Sequence, residues 1–511
     1  MTRAAGAVVG APPAAAGEPP LRGEAVWRRA DAAFGRLDAW VERLVPPDMN
    51  PLTQTGAIAN TTLLASIVSG VVLLIWYTPS VHQAHASIEA MAAAPWTAGL
   101  VRSLHRYASD ACMAFVLLHA LRLLAARRLA GPRWVAWVTG LVLLALLWLV
   151  GWLGYWLVWD ERAQLVALGT GRLLDGLPIF SDPLSRSFLT DGSVNSLLFF
   201  VVFFLHMLLP LAMGVALWLH LTRLSRPRFL TGRAMTAWVL GALLAASLVH
   251  PATSAAPAAM TATPGRLTID AWYLAGLALT DRLGAGALWA LVLGGGALAI
   301  SLPWALARAP AVGPAPAATV DEAKCNACAL CARDCPFDAI TLAPRPAGGR
   351  ADVPRVAVVD PARCVACGIC AGSCDPVAIG LPWLRTDQAR RQVEGWLAAA
   401  RPDEHLALVC GEVARLDVDP GTGACAALPG YRVLEVPCAG WVHALSVERA
   451  LRRGAAGVLV AACPAGSCRQ REGTAWTQER LAGGRAPALR LDKVDPARAR
   501  VVEVPPGDLP P

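Results

Sequence analysis

The chain has 511 residues, 55% of them hydrophobic and only 16% charged, with a mean hydropathy of +0.47. That is too apolar for an ordinary soluble enzyme and points to a membrane protein long enough for about two to four domains. The formal net charge of +8 then belongs to cytoplasmic loops rather than to a nucleic-acid-binding surface, and no nucleic-acid partner is expected.

In chain order, the first 55 residues are Ala/Pro-rich with mixed charges. No apolar segment followed by a cleavage site marks a signal peptide there, and residues 1–24 read as a disordered N-terminus. A membrane domain follows over 25–305. Six apolar stretches are long enough, or nearly so, to span a bilayer: roughly 56–78, 99–126, 134–158, 194–222, 234–250 and 285–306, the fifth being short. Trp76, Trp96, Trp134, Trp159 and Trp304 sit near their ends, as interfacial anchors do. Arg122, Arg127, Arg128 and Arg133 follow the second stretch, and Arg223, Arg226, Arg228 and Arg233 follow the fourth, whereas Pro79 to Gly99 holds no Lys or Arg. The N-terminus and these Arg-rich connections are therefore expected in the cytoplasm. Six spans would return the C-terminus there too, giving a multi-pass protein of the cell inner membrane.

The second and fourth stretches carry His105 and His119, and His206 and His220, each pair fourteen residues apart. At about 100° and 1.5 Å per residue, fourteen residues return to one helix face about 21 Å further along the axis. Both stretches run from outside to inside, so His105 lies level with His206 and His119 with His220. Each level can clamp one metal between two imidazoles. A lone intramembrane His more often pairs with another polar group. Two pairs at one spacing and matched depths point instead to heme, and two axial imidazoles suit electron transfer. Gly56 and Gly70 in the first stretch, and Gly140 and Gly154 in the third, are also fourteen apart. A flat macrocycle between helices needs neighbours without side chains at two levels, although glycine also serves bare helix packing.

The segments "GLVRSLHRYASDACMAFVLLHALR", "TGLVLLALLWLVGWLGYWLVWDE" and "FFLHMLLPLAMGVALWLHLTRL" resemble spans two to four of the cytochrome b family of quinol-oxidising complexes. "RLDAWVERLVPPDMNPL" is similar to the amphipathic helix before that family's first span. The resemblance covers roughly 25–305. It implies two b hemes on the four histidines, quinone or quinol and lipid as partners, and a homodimer. It also implies that Arg102 and Arg122 pair with heme propionates; snorkelling at the membrane ends is the plain alternative. The family's outer quinol site carries Pro-Glu-Trp-Tyr. Here "TIDAWYL" keeps Trp272 and Tyr273 but has Ala271 in place of the Glu, with Asp270 one residue earlier as a stand-in. No Rieske-type Cys/His motif occurs in the sequence. An inner quinone site near His220 would have Arg223 or Arg226 beside it.

"RAPAVGPAPAAT" lies within an Ala/Pro linker over 306–320, expected to be extended. Of the 14 cysteines, thirteen lie beyond it; the other, Cys112, reads as a packed membrane residue. "CNACALCARDCP" and "CVACGICAGSCDP" are each C-x2-C-x2-C-x3-C, the run that wraps a cubane cluster and sends its fourth Cys to the other cluster. Cys325, Cys328, Cys331 and Cys374 then hold one [4Fe-4S], and Cys364, Cys367, Cys370 and Cys335 the other. Zinc is the alternative, which the doubled pattern disfavours. The segment resembles bacterial two-cluster ferredoxins over 321–382. Strand-like runs "LALVC", "RVLEVPC" and "GVLVAAC" follow. "RVLEVPCAGWVHALSVERALRRGAAGVLVAACPAGSCRQREG" resembles the delta-subunit family of methyl-viologen-reducing hydrogenases, within a domain over 383–490 that ends in a tail, 491–511. That resemblance implies one [2Fe-2S] on Cys410, Cys438, Cys463 and Cys468, with Cys425 as a rival to Cys410. His405 and His443 read as surface or helix residues, and His82, His85 and His250 as interfacial ones.

The expected architecture is multidomain: an α-helical transmembrane bundle, a ferredoxin-like α+β domain and a small α/β iron–sulfur domain. No nucleophile, flavin motif or phosphate loop is present, so no catalytic residue is assigned. The expected function is membrane electron transfer between a cytosolic redox complex, heterodisulfide-reductase-like or a dehydrogenase, and the quinone pool. The expected order of centres is [2Fe-2S], two [4Fe-4S], inner heme, outer heme. A conduit to a periplasmic partner without quinone, and a membrane-anchored redox sensor or assembly scaffold, are the alternatives.

Overall fold

The computed structural model describes residues 22–129, 133–177, 183, 188, 194, 196–222, 228–262, 264, 267–280, 282–307, 316–346, 350, 352–465 and 468–505. Arg223, Arg226 and most of the Ala/Pro linker lie outside the described residues.

The first half is helical: α1 (Glu24–Val41), α2 (Thr55–Leu73), α3 (Ala84–Ala92), α4 (Ala98–Ala125), α5 (Trp134–Trp156), α6 (Glu161–Asp175), α7 (Ser196–Thr222), α8 (Arg233–Val249), α9 (Leu277–Thr280) and α10 (Ala285–Leu306). Among the described residues five helices are long and apolar enough to cross a membrane: α2 with the turn before it, α4, α5, α7 and α10. α8 has 17 residues, about 25 Å at 1.5 Å each, short of a hydrocarbon core of about 30 Å. Its flanks nevertheless meet opposite ends of the bundle. Asn60 near the start of α2 donates to Phe229 O (3.0 Å), and Arg102 near the start of α4 donates to Ala252 O (3.0 Å).

α2 runs antiparallel along α4, and α5 along α7. Cys112, Met113, Trp152, Trp156 and Phe199 pack in the core between them, so Cys112 is the packed residue expected. Leu211, Val215 and Trp218 on α7 and Leu293 and Leu298 on α10 face outward, where lipid tails are as apolar as they are. α3 and α6 are connecting helices with no counterpart in the hydropathy reading. α6 starts at Asp160, whose carboxylate accepts from Ala163 N (3.0 Å) as an N-cap.

The second half mixes strands and helices. β1 (Thr319–Val320) pairs antiparallel with β4 (Ile379–Gly380), and β2 (Ile340–Pro344) with β3 (Arg355–Val359); the short helices α11 (Leu330–Arg333) and α12 (Ile369–Gly372) follow the two cysteine loops. After α13 (Thr386–Ala398) comes a parallel sheet of β5 (His405–Cys410), β6 (Tyr431–Val436), β7 (Val458–Ala462) and β8 (Ala499–Glu503), in the order β6-β5-β7-β8. α14 (Ala444–Arg452) connects β6 to β7, and α15 (Gly473–Leu481) lies between β7 and β8. β5 and β7 are buried along nearly their whole length, as parallel strands covered on both faces must be.

Candidate redox site

The four histidines project between α4 and α7. The His105 and His206 rings have centroids 6.3 Å apart, at 72° to one another. Bonds of about 2.0–2.1 Å from one metal to a nitrogen of each ring set the ring centres about 6 Å apart. His119 faces His220 at the other level, close enough to interact electrostatically. His105 Nδ1 lies 2.8 Å from Ser66 O, and His206 Nδ1 3.0 Å from Val150 O. A carbonyl only accepts, so each Nδ1 carries the proton and each Nε2 keeps a bare lone pair. His220 Nδ1 lies 3.0 Å from Thr139 Oγ1, whose own proton goes to Val135 O (2.8 Å). His119 Nδ1 lies 3.2 Å from Thr55 Oγ1. All four rings are thus held by Nδ1, and His105, His206 and His220 offer Nε2.

The fourteen-residue glycines stand behind these rings. A Cβ on Gly70 would lie 2.8 Å from His105 Cε1, and one on Gly56 3.0 Å from His119 Cε1. On Gly154 it would lie 3.2 Å from His206 Cε1, and on Gly140 3.4 Å from His220 Cε1. The glycines therefore admit the imidazole edges themselves.

The cysteine runs form two pockets. Cys325, Cys328, Cys331 and Cys374 line an open-sided space of about 320 Å³, and Cys335, Cys364, Cys367 and Cys370 one of about 330 Å³. Each loop turns through left-handed residues at matching positions: Ala327, Ala329 and Asp338 in the first run, Ala366, Gly368 and Val377 in the second. A β-branched residue such as Val377 seldom adopts φ 54°, so the fold holds these turns against local preference. The turns aim backbone amides at sulfur: Ala378 N donates to Cys374 Sγ (3.1 Å) and Ala339 N to Cys335 Sγ (3.3 Å). Burial pushes the Cys331 and Cys367 thiols up to about 12; as thiolates they need a metal's charge beside them. Among the described residues no three His, Cys, Asp or Glu side chains converge at single-ion distance.

Cys410, Cys438, Cys463 and Cys468 meet at the carboxyl ends of the parallel strands. Cys410 ends β5, and its Sγ lies 3.8 Å from that of Cys463, just after β7. Cys438, two residues after β6, is hydrogen-bonded to Cys468, which holds the Cys468 thiol low and the Cys438 thiol high. A Cβ on Gly473 would lie 2.3 Å from Cys438 Sγ and 3.5 Å from Cys468 Sγ, so a side chain there is excluded. Cys425 sits in the 411–430 connection with its backbone bridged to Val418; Cys410 is the one placed beside Cys463.

Residues 40–227 match the family model for cytochrome b/b6/petB, 324–378 that for the 4Fe-4S dicluster domain, and 406–510 that for the delta subunit of methyl-viologen-reducing hydrogenase. The chain joins these three domains. A solved structure titled "Hyperthermophilic respiratory Complex III" is 20% identical over 53% of this chain and 84% of that one, at a TM-score of 0.40, too slight a likeness to carry an argument. A cytochrome b domain fused to an iron–sulfur domain makes the chain a multi-pass membrane electron-transfer subunit.

The cytochrome b domain holds its arginines in ways the sequence did not show. Arg102 donates from Nη2 to Ser254 Oγ (2.9 Å) and from Nη1 to Ala252 O. Arg122 pairs with Asp38 of α1 and donates to Leu52 O (2.8 Å). At the Arg102 end, the Asp270 carboxylate meets Arg106, Tyr155 Oη (2.9 Å) and the amides of Trp272 and Tyr273. Arg106 also pairs with Asp110. Tyr273 Oη donates to Ser109 O (3.0 Å), and its ring fills the space a Cβ on Gly151 would need. His85 Nε2 lies 3.0 Å from Ala255 O. His443 is neither a surface nor a helix-interior residue: it is buried, its Nδ1 accepts from Leu445 N (3.0 Å) as the N-cap of α14, and its Nε2 lies 3.2 Å from Cys374 O. His405 is a strand residue stacked near Tyr431. Asp270, Asp38 and Cys374 lie 164, 84 and 69 positions from Arg106, Arg122 and His443, and no local pattern signals these contacts.

Proposed function

We propose that the protein carries electrons between a cytosolic redox complex, heterodisulfide-reductase-like or a dehydrogenase, and the quinone pool. His105 with His206, and His119 with His220, would each hold one b heme. The three cysteine groups would hold two [4Fe-4S] clusters and one [2Fe-2S]. Held between two imidazoles, a heme would supply one-electron transfer rather than oxygen chemistry. The chain's own part is to fix each ring by Nδ1, present Nε2, and bury both levels from water. The observation that carries this reading is that all four imidazoles, at two matched levels, are held by Nδ1, and in His105, His206 and His220 that nitrogen donates and leaves Nε2 bare. Six spans and cytoplasmic iron–sulfur domains complete it, in a protein that pairs as a homodimer in the lipid bilayer.

Quinol added to the purified, oxidised protein is expected to reduce its hemes, read as the b-type absorbance. No heme reduction by any quinol would sink the quinone link. It would leave the second reading, a conduit to a periplasmic partner. Asp270 favours that reading: its carboxylate, the stand-in for the family's Glu, is engaged by Arg106, Tyr155 and two amides.

A further inference from the structure

The soluble half meets the membrane half through its last cysteine group. Arg128, just beyond α4, donates to the backbone oxygen of Cys468 itself. Arg133 donates to Arg469 O (3.0 Å). Arg127 pairs with Glu412 (2.8 Å), two residues after Cys410, and Arg469 grips the same carboxylate (3.1 Å). Pro505 packs on Gly35 of α1. His119 lies six residues before the end of α4, about 9 Å along the axis.

The Cys325 group is the one that reaches solvent. Among the fourteen cysteines Cys328 is the exposed one. The second pocket lies between: Cys367 shares one buried core with Cys410, Cys438, Cys463 and Cys468, while Cys370 shares another with Cys325, Cys331 and Cys374.

We propose that the Cys410–Cys438–Cys463–Cys468 group is the membrane-side handover point, clasped by Arg127, Arg128 and Glu412, and that the Cys325 group is the outermost centre. This rests on the proposed function and reverses the order that chain position suggests. Each handover moves one electron, oxidising the group that gives it and reducing the one that receives it, with no bond made or broken. The same order serves either direction of flow. A bypass has one contact in its favour: Arg133 lies over the ring of Phe337, which lines the second pocket (5.4 Å to the centroid).

The test uses the purified full-length protein, with reduced methyl viologen as the one-electron donor. EPR relaxation comes first. The signal of the reduced Cys410 group is expected to relax faster while the hemes are oxidised than after they are reduced, and that of the Cys325 group is expected not to change. Relaxation enhancement at the Cys325 group alone would overturn the order. Next, Cys463→Ala is expected to slow heme reduction by viologen at least roughly tenfold with both [4Fe-4S] signals intact. A wild-type rate with those signals intact means bypass through the second pocket and overturns the handover. Should Cys463→Ala fail to assemble, Glu412→Gln leaves every cysteine in place and is expected to slow the same reduction and weaken the relaxation effect; neither change would overturn the clasp. Quinol reduction of the hemes in the same samples does not pass through the soluble half, so failure of the quinone reading shows separately.

Discussion

An imidazole held by a carbonyl at Nδ1 has only Nε2 left to offer, and the residue behind its ring decides where that nitrogen points. Gly70 is such a residue, since a Cβ there would lie 2.8 Å from His105 Cε1, closer than carbon atoms tolerate. Gly214 on α7 has nothing within 4 Å of its added Cβ. Gly70→Ala is therefore expected to keep a b-type absorbance but shift the EPR signal and midpoint of the His105–His206 heme, by tilting one axial ring. Gly214→Ala should leave both unchanged, and His105→Ala should remove that absorbance altogether. Identical spectra for Gly70→Ala and wild type would show that the glycine serves helix packing alone. The fourteen-residue period of histidines and glycines was legible because helix geometry converts it directly into two levels. What the glycines accommodate was not legible. They admit the imidazole edge, and only the packing of α2 on α4 reveals that.

Among the elements, the cysteine loops were the most readable, because short spacing and a doubled motif restrict how four sulfurs can converge. What joins those loops to the next domain was invisible. Arg480 of α15 is fully buried and donates to Gly440 O (3.0 Å) and Ser373 Oγ (2.6 Å), and pairs with Asp334 (3.2 Å). Asp334 precedes Cys335, Ser373 precedes Cys374, and Gly440 lies two beyond Cys438. One side chain thus fastens the backbone beside three cysteine groups, from a position 146 residues away from its acid. Arg485 (2.7 Å) and the Ser373 hydroxyl (2.7 Å) also hold Asp334, so loss of Arg480 leaves the carboxylate still partnered. Removing one member of a buried pair costs about 3–5 kcal/mol, and the remaining arginine places Arg480→Met near the lower end. Thermal bleaching of cluster absorbance should occur at a clearly lower temperature in Arg480→Met, with Arg480→Lys between it and wild type. Equal bleaching temperatures would mean that the sheet packing alone joins the domains.

At the scale of the whole molecule, two independent features concern the same side of the membrane. Arg127, Arg128 and Arg133 were legible only as topology markers, an excess of positive charge in one connection. The structure gives them a second role, since they also hold the soluble half through Glu412, Cys468 and Arg469. Under the proposed topology that connection is cytoplasmic, and these contacts would carry the cysteines to the same side. α10 ends where Trp304 stacks near Trp134 at the start of α5 (5.2 Å between ring centres), the end from which the Arg-bearing connection emerges. A protease-sensitive tag after residue 511 is therefore expected to be protected in intact spheroplasts and digested in inverted membrane vesicles. A tag in the Pro79–Gly99 connection should behave the opposite way. Digestion of the C-terminal tag in sealed spheroplasts would place the cysteine groups in an oxidising compartment, where buried thiols 3.8 Å apart such as Cys410 and Cys463 are prone to disulfide formation rather than iron binding. That result would overturn the electron-transfer reading of the soluble half as well as its location.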